Sequence, residues 1–401
     1  MTDWQAQEKE YYLNTTKRVP LGIVRGAGLT VWDEDGKEYL DFTAGWAVNA
    51  LGHCHPVIVE ALSLQARTLI QTSNQFYTRP QLELAELLVA NSCLQKVFFC
   101  NSGAEANEGA VKLARRYGKL HLGGAYEVIT ALNSFHGRTL AMTAATGQKK
   151  FHEPYEPLPT GFVNVEYNGV SAIKKATTSR TCAVMLEPVQ GEGGVNVPDG
   201  DYLNKVRAWC DDKGILLILD EIQTGIGRLG SLFGYQEYGV EPDIMTLAKG
   251  LGGGVPIGAF LAKEKAAVFT PGEHGSTFGG NPLTCAAACA TVKYILENNV
   301  LGNAQEVGLY LLKGLQALKD RFNLIAEVRG RGLLLATEFS TDIAEKVIMA
   351  CLEEGLLLNM IKPTVIRLMP PLNTTKKEVD EALGIISGVM EKMQREALTT
   401  G

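Results

Sequence analysis

None of the eight cysteines, at 54, 93, 100, 182, 210, 285, 289 and 351, falls in a CxxC pair. That spacing argues against a zinc cluster or a disulfide framework, and no metal is expected. Cys285 and Cys289 stand one helical turn apart in an Ala-rich stretch and read as small core packing. The two signs of charge nearly balance as well. The chain has 38 Lys and Arg against 44 Asp and Glu, a net charge of −6, with no basic stripe or tail, which argues against a nucleic-acid partner. Long hydrophobic runs are missing: "GILLILD" (214–220) is far short of the roughly 20 apolar residues that span a bilayer. The opening "MTDWQAQEKEYYLN" has neither an apolar core nor an Arg-rich amphipathic pattern, so no signal or transit peptide is expected. Repeats, low-complexity tracts and long linkers are absent as well. A cytoplasmic protein without membrane partners is the expectation, and 401 residues at 46% hydrophobic content suffice for two domains, or a large one with a smaller one.

What is present is an alternation of strands and helices. "KVFFCN" (96–101), "YEVITAL" (126–132), "CAVMLE" (182–187), "ILLILDE" (215–221) and "IMTLAK" (244–249) read as strands. "GAEANEGAVKLARRYG" and "GDYLNKVRAWCDDKG" read as helices between them. Strand, helix, strand implies parallel pairing with helical crossovers, an α/β fold whose near-continuous apolar strands fit a sheet covered on both faces. From about Leu301 long helices dominate, with short strands in "GLLLATEF" and "TVIRLMP", which suggests a smaller α+β lobe.

Ligands of open α/β sheets gather at the carboxyl ends of strands. Here those ends supply a Ser/Gly turn (Ser102-Gly103-Ala104-Glu105), an aromatic and an arginine (Phe135, Arg138), carboxylates (Glu187, Asp220, Glu221) and Lys249. Ser102 with Glu105 is a capping box, and the same helix start can hold a phosphate. Asp220 follows five apolar residues, a costly place for a carboxylate unless it meets a cation or hydrogen-bond donors. A helix N-cap is the plain reading; facing a protonated heterocyclic nitrogen is the sharper one. Lys249 stands between an apolar run and "GLGGG", where burial lowers an amine's pKa and suits it to imine formation. A phosphate cradle, a buried Asp, an aromatic and a Lys at one sheet edge meet the needs of pyridoxal phosphate (PLP). "GLGGG" lacks the order of a dinucleotide fingerprint, and "GHCHP" (52–56) reads as a turn entering a helix at Pro56 rather than a metal site.

With "VWDEDGKEYLDF", "GHCHP", "NSGAEANE", "SFHGRT", "EPVQGEGG", "LDEIQTGIGR", "AKGLGGGVPIGA", "HGSTFGGNPL" and "IRLMPPL" in this order, the chain resembles class-III aminotransferases of PLP fold type I over nearly its whole length. The resemblance implies a mainly parallel seven-stranded sheet between helices in a large domain, 57–300. It implies a smaller α+β domain built from 1–56 and 301–401. Lys249 would carry the cofactor and move the proton, with Asp220 on the pyridine nitrogen and Gln223 on the ring-hydroxyl side. Ser102, Gly103 and Ala104 would bind the phosphate, and Phe135 would stack on the ring. Thr277 would reach the cofactor of the other subunit of a homodimer.

Arg138 would hold the donor's distal carboxylate and Arg367 the α-carboxylate of glutamate or 2-oxoglutarate, since a guanidinium meets a carboxylate in bidentate fashion. Glu192 would neutralise Arg367 when the ω-amino donor is bound. Trp46 stands where the family commonly carries an aliphatic residue or Tyr, and its indole is expected to border and narrow the donor pocket. Leu229 stands where "GRTG" is common. The expected reaction moves the terminal amine of N2-acetyl-L-ornithine to 2-oxoglutarate, within arginine biosynthesis. Succinylornithine, succinyldiaminopimelate, ornithine and 4-aminobutyrate are alternative donors, and an aminomutase is the alternative reaction.

Overall fold

The structure, a computed structural model, describes residues 4–399. A seven-stranded sheet forms the centre, in the order Lys96–Cys100, Gly258–Ala262, Ile244–Leu247, Leu216–Asp220, Thr181–Leu186, Glu127–Ala131 and Phe162–Val165. Six strands run in one direction, and Gly258–Ala262 lies antiparallel to both its neighbours. Thr181–Leu186 and Leu216–Asp220 are buried at every position, because helices cover both faces of the sheet. The long helix Gly103–His121 lies close on one face: a Cβ on Gly118 would stand 2.1 Å from the Ala125 carbonyl oxygen.

Five of the seven strands fall on the apolar runs read from the sequence. The edge strand Phe162–Val165 is only half-buried, and "GAFLA" in Gly258–Ala262 has no β-branched residue, so neither stands out as a pattern. One boundary differs in a way that matters. The strand carrying the lysine ends at Leu247; Ala248 twists out of it and Lys249 opens a short 3-10 turn, Lys249–Leu251, with φ 41°. A lysine in the left-handed region carries backbone strain. Lys249 thus leaves the strand at the sheet's carboxyl edge.

Two smaller sheets flank the large one. Ile23–Ala27, Thr30–Asp33 and Glu38–Asp41 form a meander, and Leu356–Leu357 pairs parallel with its last strand. Ile325–Arg331, Leu334–Phe339, Val365–Leu368 and Asn359–Lys362 form the other. The N-terminal and C-terminal parts of the chain thus share a sheet. Leu229 finds its reason here. It is buried in one apolar cluster with Val189 and Val195 of the active-site loop and Leu334, Ala336 and Met369 of the C-terminal part, which joins the C-terminal sheet to that loop. Beside it Arg228 is buried and donates to the carbonyls of Leu333 and Pro370. Pro56 does open a helix, Pro56–Thr68, with His55 at its cap, and His53 meets Asp41 at 2.8 Å. Cys285 and Cys289 are buried in the helix Pro282–Glu297. No helix among the described residues is long and apolar enough to cross a membrane.

Candidate active site

A cavity of about 440 Å³ opens at the carboxyl edge of the large sheet. Of the twelve residues expected at the site, nine line it: Ser102, Gly103, Ala104, Phe135, Arg138, Glu192, Asp220, Gln223 and Lys249. Arg367 adjoins it through Gln223 and Glu192. Trp46 and Thr277 lie outside it.

One wall is the start of Gly103–His121. Ser102 caps the helix, its Oγ accepting from the Glu105 amide at 3.2 Å. Glu105 reaches back to the amide of Asn101 at 2.8 Å. The first amides of a helix have no partner within it and carry the positive end of its dipole. Capping therefore leaves the Gly103 and Ala104 amides and the Ser102 hydroxyl hydrogen available to an anion. A Cβ at 103 would stand 2.8 Å from the end of the Ile222 side chain, so the glycine leaves Ile222 its place on the cavity wall.

The floor is Asp220, only 3% exposed. Its Oδ2 accepts from Asn107 at 2.8 Å and meets His136 Nδ1 at 2.7 Å; its Oδ1 accepts from the Ile222 amide at 3.0 Å. Burial works to lower the pKa of His136, but the hydrogen bond and charge of Asp220, with Glu187 behind them, outweigh it and leave it raised. A hydrogen on Nδ1 thus faces the carboxylate in either charge state. Asn107 and His136 were not singled out from the sequence. Asn107 sits in mid-helix and His136 beside the more conspicuous Phe135; the signal that could have found them is their place in "NSGAEANE" and "SFHGRT".

The amine of Lys249 faces this floor. Burial, and the charge of Arg367, lower its pKa to about 8 against the pull of Asp220, Glu192 and Glu187. Glu187, a third residue left without a role by the sequence reading, accepts from the amides of Phe135 and Gly191. Its own pKa is pushed up to about 7, first by burial.

Arg367 is 1% exposed. Its Nη1 donates to Gln223 Oε1 at 3.0 Å, and its Nη2 donates to Asn359 at 2.7 Å and to Glu192 at 3.3 Å. With the oxygen of Gln223 committed to Arg367, its amide nitrogen is the group left to serve the cavity. Arg138 is exposed at the rim, its guanidinium 4.2 Å from the Phe151 ring and 5.5 Å from that of Phe135.

Trp46 does not line the cavity of its own chain. Residues 44–47 turn with φ of 45°, 63°, 61° and 66°, a left-handed turn that throws the indole outward. It is 57% exposed, and Val48 lines the cavity in its place. Thr277 is exposed on a surface loop, its carbonyl accepting from Gln71, away from the cavity of its own chain.

These residues fit PLP: helix-start donors for the phosphate, a buried carboxylate for the pyridine nitrogen, and a buried amine of lowered pKa. Fold and site together define a PLP-dependent enzyme of fold type I. The family model described as "Aminotransferase class-III" matches residues 11–390. Acetylornithine aminotransferase of Caldanaerobacter subterraneus subsp. tengcongensis is 50% identical over 96% of this chain and 99% of its own length. That of Methanocaldococcus jannaschii is 49% identical over 98% and 99%. Among solved structures, the ornithine aminotransferase of Toxoplasma gondii superposes with TM-score 0.95 at 34% identity, covering 98% of this chain and 96% of that one. The acetylornithine aminotransferase of Elizabethkingia anophelis does so with TM-score 0.87 at 34% identity, covering 97% and 98%. The chain belongs to the class-III aminotransferases and is a PLP-dependent aminotransferase.

Proposed function

We propose that this enzyme moves the terminal amino group of N2-acetyl-L-ornithine to 2-oxoglutarate, giving N-acetyl-L-glutamate 5-semialdehyde and L-glutamate, as a cytoplasmic homodimer in arginine biosynthesis. The observation that carries the substrate pair is the contact of buried Arg367 with Glu192 beside Lys249. A lone buried guanidinium is costly. Glu192 balances Arg367 while the ω-amino donor is bound and yields to the α-carboxylate of the oxo acid. Arg138 has no carboxylate within ion-pair distance among the described residues. It is available to the donor's α-carboxylate. The names of the curated relatives support the acetyl group on the donor.

Bound PLP supplies an electron sink that acidifies the C–H next to the reacting nitrogen. The chain's residues do the rest. Asp220, held by Asn107 and His136, would meet the ring nitrogen. Lys249, with its lowered pKa, would serve as the base for the carbon bearing the amine. Phe135 and Ile222 would confine the ring, and Ser102 with the Gly103 and Ala104 amides would hold its phosphate.

The test mixes the yellow, loaded protein with one amine at a time and no oxo acid, and follows the loss of visible absorbance. Bleaching by N2-acetyl-L-ornithine much faster than by ornithine, succinylornithine or 4-aminobutyrate is expected. Faster bleaching by another of these overturns the donor while keeping the chemistry. An aminomutase would complete turnover without 2-oxoglutarate.

A further inference from the structure

Arg138 is an exposed, long side chain at the cavity rim. Such a side chain loses much rotamer freedom when ordered, so its direction must come from something other than an ion pair. Its guanidinium lies over two rings, and the nearer is Phe151 at 4.2 Å. Phe151 in turn meets Phe135 edge-on, centroids 5.8 Å apart at 72°. The second cation on the Phe151 ring is Lys150, its Nζ 4.8 Å from the centroid.

The platform is fixed rather than loose. Phe151 sits in the short helix Lys149–His152. The segment leading to it is tied to the Phe135 loop at several points. Gly147 donates its amide to Ser134 Oγ at 3.0 Å, and Gln148 Nε2 donates to the Ser134 carbonyl at 3.0 Å. The His136 amide donates to Thr146 Oγ1 at 2.9 Å, and the Asn133 amide to the Gly147 carbonyl at 2.8 Å. His152 closes the segment on the Thr146 carbonyl. Ring, loop and arginine therefore move as one body with the cavity wall that Phe135 provides. A half-buried phenylalanine with two cations against its ring does not fill the core; its π-system offers them negative potential.

We propose that Phe151 is a specificity-determining positioning residue, which aims Arg138 at the α-carboxylate of the amino donor and so makes the enzyme select donors bearing a carboxylate far from the reacting amine. The proposal rests on the reading of Arg138 as the donor-carboxylate residue. Lys150, its Nζ 4.8 Å from the same ring, adds positive potential that strengthens the preference for an anionic donor. Loss of the ring frees the arginine without removing its charge, so the effect falls on KM for carboxylate-bearing donors.

The experiment compares N2-acetyl-L-ornithine with N-acetyl-1,4-diaminobutane, the same donor without its carboxylate, on the loaded enzyme. The readout is the ratio of their kcat/KM values. In Phe151→Leu the ratio is expected to fall about three- to tenfold, the range a partly exposed cation–ring contact supports, through a raised KM for acetylornithine. Phe151→Tyr restores it, and Arg138→Ala lowers it further. Phe151→Met, a second ringless side chain, is measured alongside in case the leucine variant folds poorly. Equal loss on both donors, or an unchanged ratio in both ringless variants while Arg138→Ala lowers it, overturns the proposal and leaves the role of Arg138 standing. An unchanged ratio in Arg138→Ala overturns the reading beneath it.

Discussion

Two side chains at the cavity make opposite demands of their surroundings. Lys249 needs to lose its proton easily, and burial brings its pKa to about 8. The nucleophile is the neutral amine, whose fraction grows about tenfold per pH unit below the pKa and levels off above it. Capture of PLP by the cofactor-free chain should therefore speed up toward pH 8 and then flatten, followed by the growth of visible absorbance. A rate still climbing at pH 10 would contradict the lowered pKa. Arg367 needs to stay charged where burial works against it. The opposing charge of Glu192, with that of Glu187, is what it has. Glu192→Ala is expected to leave turnover of glutamate less impaired than turnover of the ω-amino donor, because only the donor half-reaction lacks a carboxylate to balance Arg367. The effect is about a hundredfold if the donor state must tolerate an unpaired buried charge, about 3 kcal/mol. Equal loss in both half-reactions, measured by single-turnover bleaching, would remove Glu192 from the exchange.

At the scale of elements, the positions of Asp220 and Lys249 depend on strands held from their opposite ends. Asp243, immediately before the strand Ile244–Leu247, is 1% exposed. It accepts from the amide of Leu217 on the Asp220 strand at 2.8 Å and pairs with Arg207 at 2.8 Å and Lys265 at 2.6 Å. Burial works to raise its pKa, and the charge of Arg207 with these hydrogen bonds outweighs it, so it is held below the usual carboxylate value. A carboxyl with a depressed folded-state pKa contributes its stability fully above the ordinary value and loses it as pH falls through the folded one. Asp243→Asn should cost about 1.5 to 3 kcal/mol at neutral pH, the range for hydrogen bonds to a charged group, since Lys265 is exposed and Arg207 keeps Asp211 as a partner. The gap to the parent should narrow below about pH 4 as the parent's carboxylate protonates. Urea unfolding at both pH values measures it, and a gap that does not depend on pH would rule out the charge as its source.

For the whole molecule, a broad apolar face remains uncovered. Ile70, Phe76, Tyr77 and Phe278 are 53%, 61%, 93% and 63% exposed. The segment carrying the first three is bound to the Phe278 loop through Gln71 and Asn74. Exposed apolar side chains grouped in this way mark an interaction surface, and in the homodimer proposed above this face would be the one buried. Thr277 lies on that loop, outside its own cavity. If it completes the site across the interface, Thr277→Ala weakens PLP binding. Mixing Thr277→Ala with Lys249→Ala chains then rebuilds one intact site per mixed dimer, in which an unaltered Lys249 meets the partner's Thr277. Mixed dimers with up to half the activity of the unaltered dimer are the expected outcome; no recovery despite subunit exchange would sink the shared site.

Much of the fold was legible because burial leaves a periodic mark. The five apolar runs that lead to Ser102, Phe135, Glu187, Asp220 and Lys249 named both the parallel sheet and the edge where chemistry gathers. The sequence by itself determined which chemical groups stand at strand ends, since that is a matter of order along the chain. Only the tertiary structure decided who faces whom. That Asn107 and His136 both hold Asp220, that Phe151 lies under Arg138, and that Leu229 joins the two parts of the chain follow from register between segments tens of residues apart. Hydrophobic period does not encode register of that kind. The directions of Trp46 and Lys249 were decided there too. Each sits in a left-handed backbone conformation that local preference disfavours by about 1 to 2 kcal/mol, and only the packing of the whole chain is large enough to hold it.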